Sequence, residues 1–205
     1  MSDNVVALPT LGKTYLTGPN RTADSTPTSS KAIEGIVKRF KNVNYNSTAG
    51  AQVKDTIGGG DVVAILVRNA STISLTPGKL VVWKTTLQGR QVDGYAATDY
   101  TQVAGVVDPF LPTTGVATND YFWLFVKGLV LCKKGADTNT LTKDDYVCAL
   151  TANGSTNTTA AGRIQSFVAT SNATFAVTQA MNKIGVASST SNTSGADILV
   201  RVDLY

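Results

Sequence analysis

Apolar residues along this chain come in short runs, and helical spacing is nearly absent. From residue 33 onward, β-branched and aromatic runs alternate with stretches rich in Gly, Pro, Asn, Ser and Thr. Short apolar runs bounded by turn-forming residues are typical of β-strands. The predicted strands are 33–41, 61–68, 80–85, 100–107, 121–127, 128–132, 145–150, 163–169, 174–178, 183–188 and 197–204.

The order of these runs predicts the fold class. One short helix is predicted around TQAMNK, residues 178–183. Many short strands separated by Gly/Pro-rich turns favour an all-β sandwich or barrel-like domain of antiparallel strands. We place this single β-rich domain at residues 35–205.

The segment YFWLFVK is the most apolar and aromatic of the predicted strands. Successive side chains of a strand point to opposite faces of the sheet. The two faces carry Tyr121, Trp123 and Phe125 on one side and Phe122, Leu124 and Val126 on the other. Both sets are apolar, which predicts a central strand covered on both sides. Gly128 then allows a bend or bulge before the next strand.

Residues 1–34 have a different character and are predicted to form an extended N-terminal arm. The segment is rich in Pro, Gly and hydroxyl residues and has no sustained period of 2 or 3.6. Such a segment cannot bury enough apolar surface alone to offset its chain entropy. Leu8, Leu11, Tyr15 and Leu16 are spaced along it as apolar anchors. Docking of the arm on a neighbouring molecule and an unattached tail are both compatible with this pattern.

Composition removes several kinds of chemistry. The chain has 205 residues and contains no histidine. This excludes Ser-His-Asp and Cys-His catalytic arrangements and the zinc sites that use His. No other spacing indicates a catalytic cluster, a cofactor or a metal site, so we predict a protein that is not an enzyme. Cys132 and Cys148 are predicted to be buried free thiols on neighbouring strands, with a disulfide as the alternative if those strands pair.

The charge of the chain says less about function than its lack of histidine does. The formal net charge is +4, and the one basic cluster with a central aromatic is KRFK at residues 38–41. Nucleic-acid binding needs several such patches, so this strand is predicted to face solvent or a protein partner. No apolar run approaches the roughly 18 residues of a membrane-spanning helix, and no membrane association is predicted.

Several segments of the chain resemble a known family. VRNASTISLTPGKLVVWK leads to VDGYAAT and then to VAGVVDPFLPTTGVATNDYFWLFVKGLVL, and the C-terminal end reads KIGVASSTSNTSGADILVRVDLY. This pattern resembles the small β-rich decoration, or cement, proteins of tailed bacteriophage capsids. The matching residues are Gly105, Val106, Tyr121, Trp123, Val126, Lys127, Gly128, Gly185, Val186, Ala187, Gly195, Val200 and Val202.

The resemblance covers roughly residues 60–205 and implies a location and partners. It implies a virion protein that binds the major capsid protein on the outer face of an icosahedral head, as a homo-oligomer that we expect to be a trimer. On this hypothesis the arm lies across capsid subunits, with Tyr15, Leu16 and Arg21 as the contact candidates. The alternative is a fibre or tail module that binds a receptor or glycan through exposed aromatic side chains such as Trp83, Tyr95 and Tyr100.

Overall fold

The computed structural model describes most of the chain from Glu34 onward. The described residues are 34–41, 43–46, 51–54, 61–96, 102–109, 111, 113–135, 140–149, 161–167 and 173–204. The arm before Glu34 lies outside them, and so do its contact candidates Tyr15, Leu16 and Arg21. Those three assignments stay predictions.

Within these ranges the regular secondary structure is almost entirely β-strand, so the all-β prediction is confirmed. A single helix, α1 (Ala173–Met181), accompanies twelve described strands. The strands are β1 (Val37–Lys41), β2 (Val43–Asn46), β3 (Ala51–Lys54), β4 (Asp61–Asn69), β5 (Leu80–Trp83), β6 (Gln91–Tyr95), β7 (Val103–Val107), β8 (Tyr121–Lys133), β9 (Tyr146–Ala149), β10 (Ile164–Ser166), β11 (Lys183–Ala187) and β12 (Asp197–Asp203).

Ten of these strands form one mixed sheet that closes on itself. Its order is β1-β4-β6-β5-β7-β8-β12-β11-β9-β10, with an additional pairing between β4 and β8. That pairing closes β4, β6, β5, β7 and β8 into a first ring. A bridge between Lys134 and Ile164 joins the end of β8 to β10 and closes β8, β12, β11, β9 and β10 into a second ring. The strand pairing β4–β6 is parallel, whereas the other named strand pairs are antiparallel.

Strand β8 belongs to both rings and is the structural centre of the fold. Its first half pairs with β4 and β7, and its second half pairs with β12. The side chains from Tyr121 to Val126 are all buried. Tyr121, Trp123 and Phe125 belong to one hydrophobic cluster, and Phe122, Leu124 and Val126 belong to a second one. The predicted central strand, covered on both faces, is therefore confirmed.

Gly128 lies within β8, so the predicted separate strands 121–127 and 128–132 are one continuous strand. The pairing with β4 shifts by one residue between Val63 and Ala64, which places an irregularity in the ladder just before Gly128. Gly128 has φ of 111°, and a Cβ there would lie 2.7 Å from the carbonyl oxygen of Asp61. Only glycine allows β4 and β8 to approach so closely at this point.

The predicted strand 174–178 is wrong, because this segment belongs to helix α1. The helix also begins earlier than the helix predicted at residues 178–183. A strand needs a neighbour for its backbone hydrogen bonds, whereas a helix makes its own. Gln179 is buried while Ala176 and Val177 are exposed, so the segment packs along one side only. One-sided packing suits a helix despite the local content of β-branched residues.

Two further elements lie in segments that the sequence pattern did not predict as strands. The residues QVDGY form β6, although their Gln, Asp and Gly content is typical of a loop. This strand is stabilised by its antiparallel partner β5 and by a short parallel pairing with the end of β4. The hairpin of β2 and β3 follows β1 and pairs only within itself among the described strands.

The two cysteines are buried free thiols, as predicted, but they do not lie on neighbouring strands. Cys132 lies on β8 and Cys148 on β9, with β12 and β11 between them in the sheet order. The alternative of a disulfide is therefore wrong. Burial, with a smaller contribution from the nearby Asp197 carboxylate, raises the pKa of the Cys132 thiol well above its ordinary value.

Candidate functional site

The point at which the N-terminal arm joins the domain is fixed by a buried carboxylate. Glu34 is buried, and its side chain accepts a hydrogen bond from Gln91 Nε2 at 3.1 Å. Arg68 Nε lies 3.1 Å from Glu34 Oε1, a charge contact rather than an aligned hydrogen bond. The next residue, Gly35, donates its backbone N–H to Leu66 O at 2.8 Å. Glu34 and Gly35 are therefore held at a defined place on the first ring.

Strand β1 follows this attachment point and forms one end of the ten-stranded sheet. It pairs with β4 alone among the described strands. Val37, Lys38 and Arg39 are all exposed, and the pair of Arg39 with Asp61 is a long 3.8 Å contact between exposed side chains. An exposed edge with cationic side chains is typically protected against random strand pairing and can still receive a specific partner.

A cationic cleft lies where the two rings meet, and it was not predicted from the sequence. It has a volume of about 350 Å³. The turn Thr76–Lys79 forms one wall, and β8, the residue before β10 and the start of β12 form the other. The lining residues are Thr76, Pro77, Gly78, Lys79, Pro109, Leu111, Thr113, Leu131, Lys133, Arg163, Gly195 and Asp197.

Backbone hydrogen bonds hold the walls of this cleft together. Lys133 N donates to Gly78 O at 2.8 Å, which joins the turn to β8. Leu80 N donates to Gly162 O at 2.6 Å, which joins the start of β5 to the residue before Arg163. Gly78 has φ of 71° and Gly162 has φ of 75°, a backbone conformation that glycine adopts readily in a turn. Lys79 and Arg163 follow these glycines, and in each case a strand begins at the next residue.

The cleft contains three cations and one carboxylate. Lys133 pairs with Asp197 at 2.7 Å. Lys79 and Arg163 form no ion pair within the described part of the chain, and Lys79 Nζ lies 4.4 Å from the centroid of the Tyr95 ring. Burial, and secondarily the Arg163 charge, lowers the pKa of Lys79. Among the described residues, these two positive charges therefore have no carboxylate paired with them.

Helix α1 presents a third surface. Five of its described side chains are exposed, and these five are apolar and follow the spacing i, i+3, i+4, i+7 and i+8. They are Ala173, Ala176, Val177, Ala180 and Met181, each exposed. The ring of Tyr146 on β9 is also exposed, with Phe167 at 5.9 Å and Lys183 Nζ at 4.0 Å from its centroid. An exposed apolar stripe on a helix is typical of a protein contact surface.

The aromatic side chains considered for sugar binding do not form an open platform. Tyr95 uses its hydroxyl in hydrogen bonds with Thr76 and with Ser74 O, and Lys79 covers its ring. Trp83 is partly buried and packs against a hydrophobic cluster. Tyr100 lies outside the described residues. Trp123 is buried in the core, as predicted for the central strand.

In the described part of the chain, no three His, Cys, Asp or Glu side chains are grouped so that they could hold a metal ion. The same residues include no helix long and apolar enough to cross a membrane. Comparison of the chain with protein-family models and with curated proteins finds no match to either.

The residues of the cleft were missed because each is unremarkable in its own segment. A weak signal exists: TPGK before β5 and AAGR before β10 both place a cation directly after a turn glycine. Nothing local indicates that these two turns meet, because the contact depends on the sheet topology.

Proposed function

We propose that this chain is a non-enzymatic structural protein of a tailed bacteriophage, which binds the outer surface of the icosahedral head and stabilises it. The proposal rests on the positions, in the fold, of the residues that carry the sequence resemblance. They fall on β7, β8, β11 and β12 and just before β12, the contiguous strands that join the two rings.

The glycines of that pattern have a physical reason. A Cβ at Gly105 would lie 2.7 Å from the Leu124 side chain, and a Cβ at Gly185 would lie 1.9 Å from Arg201 O. Gly128 is likewise required by the approach of β4 to β8. The glycines of the pattern are therefore residues that the fold itself requires. This supports the proposal that the chain shares its fold with decoration proteins. Contacts to a capsid must then come from the surfaces that this scaffold presents.

The major capsid protein is the proposed partner, and the arm with the adjoining edge strand is the proposed contact. Glu34 fixes the attachment of the arm next to the basic strand β1, so both can approach the same partner surface. Tyr15, Leu16 and Arg21 remain the proposed arm contacts. Each copy buries modest area, but repetition over a symmetric shell multiplies the effect.

Self-association through α1 is the proposed basis of a trimer. The helix carries no charged residue, so copies can approach each other around a symmetry axis without like-charge repulsion. Val177→Asp should convert an oligomer to a monomer in light scattering after size-exclusion chromatography, whereas Thr72→Asp on an exposed loop should leave it unchanged. A wild-type monomer at micromolar concentration would contradict the trimer and leave head binding untouched.

The function is tested on particles. Heads assembled without this protein should release their DNA at a lower temperature than complete heads, and added purified protein should restore the difference. A protein lacking residues 1–33 should fail to restore it. If complete and deficient heads have the same thermal stability, the cementing role is wrong; if the protein is absent from purified heads, the virion assignment is wrong as well.

The alternative of a glycan-binding fibre or tail module gains no support from the described aromatic residues. Tyr95 has Lys79 over its ring, and Trp83 is partly buried against a hydrophobic cluster, so the two do not form an exposed pair for stacking on a sugar.

A further inference from the structure

The cleft between the two rings has an unbalanced charge. Asp197 is the one carboxylate among its described lining residues, and Lys133 already holds it at 2.7 Å. Lys79 and Arg163 both line the same cleft, and neither forms an ion pair among the described residues. Two neighbouring cations without an anion raise each other's energy, and a bound anion would relieve this.

The guanidinium of Arg163 still has donors to offer. Its Nη1 donates to Ser194 Oγ at 3.3 Å, a long hydrogen bond to a neutral group. Its Nε is buried and has no hydrogen-bond partner in the structure. Buried donors are nearly always satisfied in folded proteins, so Arg163, which lines the cleft, keeps unused hydrogen-bonding capacity. A planar guanidinium matches a carboxylate particularly well because it can donate two parallel hydrogen bonds.

The walls of the cleft distinguish between anions. Pro77, Leu111 and Leu131 provide apolar surface beside the cations. A short aliphatic stem would bury against this surface, whereas a fully hydrated inorganic anion would gain nothing from it. The volume of about 350 Å³ is large enough for a small organic ligand or one inserted side chain.

We propose that this cleft is a binding site for an aliphatic carboxylate, held by Lys79 and Arg163 with its stem against Pro77, Leu111 and Leu131. The carboxylate has two natural sources, a Glu or Asp side chain of a partner protein and a free small dicarboxylate. The inference does not depend on the proposed capsid role, because small molecules are sufficient to test it.

The test measures binding to the full-length protein by isothermal titration calorimetry at constant ionic strength. The probes are glutarate, acetyl-Gly-Glu-Gly-amide, its Gln counterpart and inorganic phosphate. The variants are Arg163→Gln and Lys79→Gln, with Lys143→Gln as the matched control. Lys143 is exposed and lines a separate groove beside Leu129 and Leu199, so its loss removes the same charge elsewhere.

Glutarate should bind wild type and the Lys143→Gln control equally, and each cleft variant should weaken binding at least tenfold, since each loses a charged hydrogen bond. Binding of the Glu peptide, but not the Gln peptide, would identify a partner's side chain as the source; binding of glutarate alone would identify a free dicarboxylate. The proposal is overturned if no carboxylate binds, if phosphate binds as well as glutarate, or if the control weakens binding as much as the cleft variants. Arg163→Met serves as a second variant should Arg163→Gln fail to fold, because Met retains the packing of the stem.

Discussion

Substitution of Gly185 by Ala tests the scaffold at its tightest point. Gly185 pairs with Val202 in the ladder between β11 and β12, and a Cβ there would lie 1.9 Å from Arg201 O. Unbonded carbon and oxygen atoms approach to about 3.3 Å at closest, so the two strands must separate by on the order of 1 Å. Forcing extra atoms into a packed site costs about 1–3 kcal/mol, and we expect the upper end of that range here.

A matched substitution separates this contact from the general effect of replacing glycine. Gly89 has φ of 80°, but a Cβ there would meet nothing within 4 Å. Gly89→Ala should therefore cost only the left-handed backbone conformation, about 1–2 kcal/mol. Gly185 needs no such conformation, so its cost comes from the contact with Arg201 alone.

Urea unfolding followed by the fluorescence of Trp83 and Trp123 measures both variants. With a slope of about 3 kcal/mol per molar urea, a loss of 3 kcal/mol lowers the midpoint by about 1 M. Gly185→Ala should thus shift the midpoint further than Gly89→Ala. If it shifts the midpoint less, β11 and β12 do not pack as closely as described, and the close approach of the strands does not explain the glycine.

Three further substitutions and treatments test other parts of the molecule. Glu34→Gln should lower the free energy of unfolding by about 1–3 kcal/mol because it removes the charge beside Arg68. Asp61→Asn should lower it by less than about 0.5 kcal/mol because the pair of Asp61 with Arg39 is exposed. Equal losses would contradict the burial of Glu34. Cys132 should not react with a thiol reagent at pH 8 until urea unfolds the protein, since burial raises its pKa; rapid labelling of the native state would refute that burial. Burial raises the pKa of Asp120, so ionisation of this carboxyl destabilises the fold as the pH rises through the ordinary pKa of a carboxyl group. Asp120→Asn should therefore increase the free energy of unfolding more at pH 7 than at pH 3. An equal effect at both pH values would refute this.

The central strand could be predicted because its signal is local. Six consecutive apolar residues with aromatic side chains on both faces are rare outside a strand covered on both sides, and β8 has that environment. Most other strands were predicted for a similar reason, since their alternation and turns lie within one segment. Such segments have the same preference in isolation as in the fold.

The elements that were missed depend on tertiary contacts. The segment QVDGY has turn-forming residues and becomes β6 only because β5 and β4 supply partners. Helix α1 contains Val177 and other residues that favour strands, yet it pairs with no strand among those described. Local propensity is a weak preference, and a neighbouring strand or its absence readily reverses it.

The cationic cleft illustrates the same limit for function. Lys79 and Arg163 are far apart in sequence, and each follows an ordinary turn glycine. Their proximity is created by the hydrogen bond from Leu80 N to Gly162 O. A pattern within one segment contains no information about this contact.

The shared strand has a consequence for how the cleft can bind. One wall belongs to the first ring and the other to the second, and β8 runs through both rings as a single strand. The walls cannot separate without breaking ladder hydrogen bonds of β8 or the bond between Lys133 N and Gly78 O. The cleft is therefore rigid before any ligand arrives, and binding there needs little ordering of the protein. A contact through the proposed arm would differ, because docking a Pro- and Gly-rich segment costs chain entropy. A carboxylate in the cleft and a partner on the arm should consequently bind with independent affinities unless they belong to the same molecule.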